Sequence, residues 1–173
     1  MKKNQIIATI GVAFYLAIAG VAIYSTQAQK PVENAVKGVQ QEVSVPLNAD
    51  KILELVNAER AKVGAAPLVS DPRLVATAQS RVDDMIARDY YSHNDPITGE
   101  SLVKIKPTNP QCIVASENIN AAITNEEAVA EWLSSKPHHD AMLDTRYSLT
   151  GISVAKNPKT DWYYLVQHFC QVK

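Results

Sequence analysis

Residues 149–171 read LTGISVAKNPKTDWYYLVQHFCQ. Two runs rich in β-branched and aromatic residues, 149–155 and 162–171, flank the turn-forming segment Lys156-Asn157-Pro158-Lys159-Thr160-Asp161. That pattern predicts an antiparallel hairpin. In the second run Tyr163, Leu165, Gln167 and Phe169 alternate with Trp162, Tyr164, Val166 and His168. Both sets are largely apolar, so the strand is expected to be covered on both sides. Trp132, Trp162, Tyr163 and Tyr164 are accordingly read as core rather than as a ligand-binding wall.

Helical periodicity precedes the hairpin. Ile52, Leu53, Leu55, Val56 and Val63 recur at helical spacing before Gly64, and Pro67-Leu68-Val69 makes a short extended piece. Ser70-Asp71-Pro72 caps a helix carrying Leu74, Val75, Ala78, Val82, Met85 and Ile86 and ending near Asp89. Thr124 and Glu127 form a capping box for a helix through Ala128, Val129, Trp132 and Leu133. Pro137 keeps that helix from running far beyond Ser135. Between them, residues 90–115 hold Asn94-Asp95-Pro96, Thr98-Gly99, Pro107 and Pro110 and read as a long loop. Helices first and paired strands last give an α+β domain over residues 48–173.

The N-terminus has a different composition. Lys2 and Lys3 precede an uncharged run whose apolar centre, residues 6–24, would span about 28 Å as a helix. Residues 1–28 therefore fit a signal peptide cleaved after Thr26-Gln27-Ala28 and a retained transmembrane anchor equally well. Either places the body outside the cytoplasm: secreted, periplasmic or at the cell surface. Residues 29–47 read as a linker or stalk. Cys112 and Cys170 suit an oxidising compartment and are expected to form one disulfide, worth about 4 kcal/mol in the chain-entropy model. A net charge of −1 with no basic stripe gives no reason to expect nucleic acid.

The residues able to ligate zinc or move protons near neutral pH are His93, Glu117 and His138, with His139 and Asp140 beside the last. No compact ligand motif such as H-E-x-x-H joins them, and no G-x-S-x-G marks a serine nucleophile. On their own the histidines read as loop or packing residues before ligands, groups that with Glu117 tie loops to the sheet by hydrogen bonds.

Several stretches, taken in order, resemble one family. Asn57-Ala58-Glu59-Arg60 with Pro67-Leu68, Leu74 and Ala78-Gln79 is similar to the opening helices of bacterial CAP domains (the cysteine-rich secretory, antigen 5 and pathogenesis-related 1 group, also called SCP-like). Tyr91-Ser92-His93 with Asp95-Pro96 and Gly99 resembles the first histidine motif. Ser116-Glu117-Asn118-Ile119 resembles the Gly-Glu-Asn-Ile motif, with Ser116 in place of glycine. Ala128-Val129, Trp132, Ser135, His138 and Leu143 resemble the second histidine stretch, and Gly151-Ile152, Val154-Ala155, Tyr163-Tyr164, Val166-Gln167 and Phe169 the closing hairpin.

The resemblance covers about residues 50–171 and implies an α-β-α sandwich, an antiparallel sheet between helical layers, with an open cleft. It places His93, Glu117 and His138 in that cleft and Ser135 where many eukaryotic members have a glutamate. Glu131 lies one turn before Ser135 without a role assigned by the motif. His93 and His138 are the implied ligands of zinc or another divalent ion. Two readings follow. The favoured one is a binding module for an envelope component, a lipid-like molecule or a protein. The alternative is a metal-dependent hydrolase of peptides or envelope polymers, with Glu117 as base.

Overall fold

The computed structural model describes residues 46–101 and 109–173, so the signal or anchor segment and nearly all of the linker lie outside the described residues. In chain order the elements are α1 (Ala49–Lys62), β1 (Val69–Ser70), α2 (Pro72–Ala87), β2 (Cys112–Ala122), α3 (Asn125–Ser134), α4 (Lys136–Leu143), β3 (Leu149–Lys156) and β4 (Tyr163–Val172). None of the described helices is long and apolar enough to cross a membrane.

Local chemistry sets the helix starts. Asn48 accepts from the backbone N–H groups of Asp50 and Lys51. Asp71 caps α2, with Pro72 in its first turn. The reciprocal box of Thr124 and Glu127 opens α3. Each satisfies N–H groups that a helix start leaves unpaired.

The four strands form one sheet in the order β1-β3-β4-β2. The expected hairpin is there: β3 and β4 pair antiparallel, with Leu149 opposite Cys170 and Lys156 opposite Tyr163. β2 pairs antiparallel with the other edge of β4, and β1 adds a short parallel pairing to β3. Pleating sends alternate β4 residues to opposite layers. Leu165 and Phe169 join Ile52, Val56, Trp132 and Met142 in the core under α1, α3 and α4. Val166 joins Ala78, Val82 and Met85 under α2. The result is the expected sandwich, with α2 on one face and α1, α3 and α4 on the other.

Gly151 fixes how closely α2 approaches the sheet. A Cβ there would lie 2.1 Å from the Leu74 carbonyl carbon and 2.2 Å from the Val75 nitrogen, both backbone atoms. Gly151→Ala is therefore expected to force α2 outward and lower stability by about 2–3 kcal/mol, read as a fall in denaturation midpoint. An unchanged midpoint would mean that α2 is not held at this distance. Cys112 and Cys170 form the expected disulfide, which pins the start of β2 to β4.

Three expectations need correction. Residues 112–115, read as the end of a long loop, already belong to β2: Ile113 and Val114 are strand formers, and the segment pairs with the end of β4. Pro137 does more than end a helix. The extended Ser135 makes a corner (φ −97°, ψ 112°), and Pro137 sits in the first turn of α4, a helix not anticipated from the sequence. Trp162, read as core, is 40% exposed at the hairpin turn, whereas Trp132 is fully buried.

Candidate functional site

β2 carries Glu117 directly opposite His168 of β4. The Glu117 side chain is only 1% exposed and has three partners. His93 Nδ1 lies 2.8 Å from Oε1; His168 Nε2 and Arg81 Nε lie 2.9 and 3.1 Å from Oε2. Burial pushes its pKa up, but hydrogen bonds from His168 and His93, with the Arg81 charge, outweigh that and hold it at about 2. An ionised carboxylate only accepts hydrogen bonds, which assigns a proton to His93 Nδ1 and another to His168 Nε2. With Nδ1 committed to Glu117, Nε2 is the His93 nitrogen left for a metal or another partner to meet.

Arg81 shapes the loop that delivers His93. Asp89, in the left-handed region at φ 57°, turns the chain back after α2. Arg81 then donates to Tyr90 Oη and to the Ser92 carbonyl, each at 2.7 Å, while its Nε holds Glu117. One buried guanidinium thus locks loop, helix and strand around a single carboxylate. Tyr90 Oη also donates to Asp84. Behind His168, Thr77 Oγ1 lies 2.8 Å from Nδ1.

His138 arrives from the opposite side on α4, whose carbonyl at that residue accepts from Asn118 Nδ2 at 3.0 Å. Its ring centroid is 6.3 Å from that of His93, with 50° between the planes. Burial, then the neighbouring His93, lowers the His138 pKa. The unfolded chain therefore binds more protons here than the native one. This contribution to stability is complete above the ordinary histidine value of 6.5 and falls away as pH drops toward the lowered one. An NMR titration is expected to place the His138 midpoint below 6.5; a midpoint above it would contradict the packing.

His138, Ser135, Glu131 and Tyr91 line one open groove of about 280 Å³. His139 turns to its neighbour Asp140 instead, with Nδ1 3.2 Å from Oδ1. The residues picked from the sequence, His93, Glu117, His138 and Ser135, are thus in one neighbourhood, but their parts differ. Glu117 is the buried hub that holds His93, while His138 stands across from His93 without touching the carboxylate. His168 and Arg81 were missed: His168 was read only as a strand residue, and Arg81 was not singled out. The only signal was the polarity of His168, beside Gln167, in a largely apolar run. His93 and His138, with ring centroids 6.3 Å apart, are the residues here that could hold a divalent ion. Among the described residues no cluster of three histidine, cysteine or carboxylate side chains is arranged to hold a metal.

Comparison with known proteins bears on the whole arrangement. The family model for the cysteine-rich secretory proteins (CAP) matches residues 53–169. The Bacillus subtilis (strain 168) protein YkwD is 31% identical over 115 residues, covering 66% of this chain and 45% of YkwD. A B. subtilis membrane protein, YlbC, is 30% identical over 120 residues, covering 69% of this chain and 33% of YlbC. The chain thus spans less than half the length of these curated relatives. Among solved structures, an outer surface protein of Borrelia burgdorferi superimposes with a TM-score of 0.64 at 17% identity, covering 75% of this chain and 99% of that one. An extracellular SCP-domain protein of Bacillus anthracis gives 0.59 at 24% identity, covering 74% and 45%.

Proposed function

We propose that this chain, which belongs to the cysteine-rich secretory protein (CAP) family, is an extracytoplasmic binding module. Its ligand enters the groove between the His93 loop and the α3–α4 corner, and a divalent ion is held there by His93 and His138. The extracytoplasmic placement draws on the disulfide, on the charge and apolar pattern of residues 1–28 and on the secretory character of the family. The ligand is an envelope component, a lipid-like molecule or a protein displayed at that surface.

The observation that carries binding over hydrolysis is the state of Glu117. Both of its oxygens are engaged in a site almost closed to solvent, and its pKa is held at about 2. A general base works best with a pKa near the working pH and with an oxygen free to reach a water. Glu117 has neither. It orients His93, and the two imidazoles supply a weak, exchangeable site in which a bound ion would present an open coordination position to a ligand.

Calorimetric titration of zinc into wild type, His93→Ala and His138→Ala tests this. One bound ion in wild type, lost in either variant, is the expected result. Equal binding by all three would remove the ion from the proposal. Metal-dependent turnover on a broad peptide panel would replace it with the hydrolase.

A further inference from the structure

Beside His138 the groove becomes a small recess whose polar atoms differ in how far they are already used. Asn120 donates to the Ala128 carbonyl and accepts from the Ala121 N–H, and the Trp132 indole donates to the Ile119 carbonyl. Those groups are engaged with the fold. Glu131 is exposed, and among the described residues its carboxylate has no hydrogen-bond or ion-pair partner. Lys136, the nearby cation in sequence, is held by Asp140 at 2.6 Å. Glu131 is thus the one carboxylate among the residues that line the recess, and no lysine or arginine lines it.

The remaining groups complement that charge. The Ser134 hydroxyl donates to the Glu131 carbonyl, so its lone pairs are what it offers outward. The Ser135 hydroxyl makes no capping bond to α4. Tyr91 supplies an aromatic wall, tilted against Tyr164 with centroids 5.5 Å apart. Burial and the nearby Glu131 charge push the Tyr91 hydroxyl up to about 12, so it stays neutral. A carboxylate, several acceptors and aromatic walls are what a primary ammonium with a hydrocarbon stem requires. At about 280 Å³ the recess suits one side chain rather than a folded surface.

We propose that this recess takes an alkylammonium group of the kind carried by a lysine side chain, its charge on Glu131 and its methylenes along Tyr91. The inference rests on the reading of the groove as a ligand site and adds the chemistry of the ligand. A peptide or envelope polymer bearing free side-chain amines would be held by them.

The test is an NMR titration of the full chain with Nα-acetyl-lysine methylamide and with its uncharged counterpart, Nα-acetyl-norleucine methylamide. The lysine probe is expected to shift Tyr91 and His138 resonances saturably and to bind about 10-fold or more tighter than the norleucine probe. Glu131→Gln, a change at an exposed position, should abolish that preference while leaving the denaturation midpoint unchanged. Equal binding of the two probes, or a preference that survives Glu131→Gln, overturns the ammonium assignment and leaves the groove as a ligand site for another chemistry. If neither probe disturbs Tyr91 or His138, the assignment also falls, and the zinc titration then decides the fate of the groove independently.

Discussion

Glu117→Ala is expected to lower the unfolding free energy by about 3–5 kcal/mol at neutral pH, the cost of leaving buried charge without its counterpart. The Arg81 side chain is only 7% exposed and points its Nε at the missing carboxylate, and fully buried His168 loses the acceptor of its Nε2–H. A loss of that size is a large share of the stability of an ordinary domain. Its pH dependence separates it from simple cavity formation. The native Glu117 pKa of about 2 lies below the ordinary 4.5, so the unfolded chain binds the extra proton between those values. The contribution of the carboxylate is fully present above 4.5 and is lost as pH falls toward 2. The difference between wild type and Glu117→Ala, measured by chemical denaturation, should therefore be constant from pH 7 to about 5 and shrink below it. A difference that stays the same at low pH would show that packing, not charge, is what the residue supplies.

That hub was only half visible in the chain. The helices α1, α2 and α3 and the closing hairpin announce themselves through signals confined to a few residues: the Asp71–Pro72 cap, the Thr124–Glu127 box and the alternation in 162–171. The site residues His93, Glu117 and His138 could be picked out by chemistry and family resemblance, because histidines and a lone glutamate among asparagines stand out. What no local pattern carries is the partner set. His168 meets Glu117 only because β2 and β4 pair across a wide gap in sequence, and Arg81 meets both Ser92 and Glu117 only because α2 lies under that pair. Residues 112–115 at the start of β2 were assigned to the preceding loop although Ile113 and Val114 are strand formers, because nothing local marks where pairing with β4 begins. Glu117, Asn118 and Asn120 are poor strand formers in isolation and are buried here because the fold supplies their hydrogen bonds.

Arg60 was hidden by the same logic on the other face of the molecule, and removing it is the second large effect expected. In sequence it is one charged residue of a Glu-Arg pair near a helix end, the kind that normally faces water. In the fold it is fully buried. Its guanidinium donates to four backbone carbonyls: Ala66 and Met142 at 2.8 Å, Asp144 at 3.0 Å and Tyr147 at 3.1 Å. Burial lowers its pKa, and the Asp144 charge opposes that shift. These carbonyls belong to the turn after α1 (Ala66), the last turn of α4 (Met142) and the connection from α4 into β3 (Asp144 and Tyr147), so one side chain fastens three segments that make no regular ladder with one another. An unpaired buried acceptor costs about 1–3 kcal/mol. With four at stake, Arg60→Ala should lose about 4 kcal/mol or more even if some water enters. Arg60→Met keeps much of the stem's apolar packing and removes only the donors, so it should be nearly as damaging. Arg60→Lys, with three donors on a single nitrogen, should recover part of the loss without matching the planar fork. Denaturation midpoints ranked wild type, Lys, then Met close to Ala would fit a carbonyl clamp. A methionine variant as stable as wild type would show that the stem, not the guanidinium, holds the α1 turn to the α4–β3 connection, and that the four hydrogen bonds are incidental to the fold.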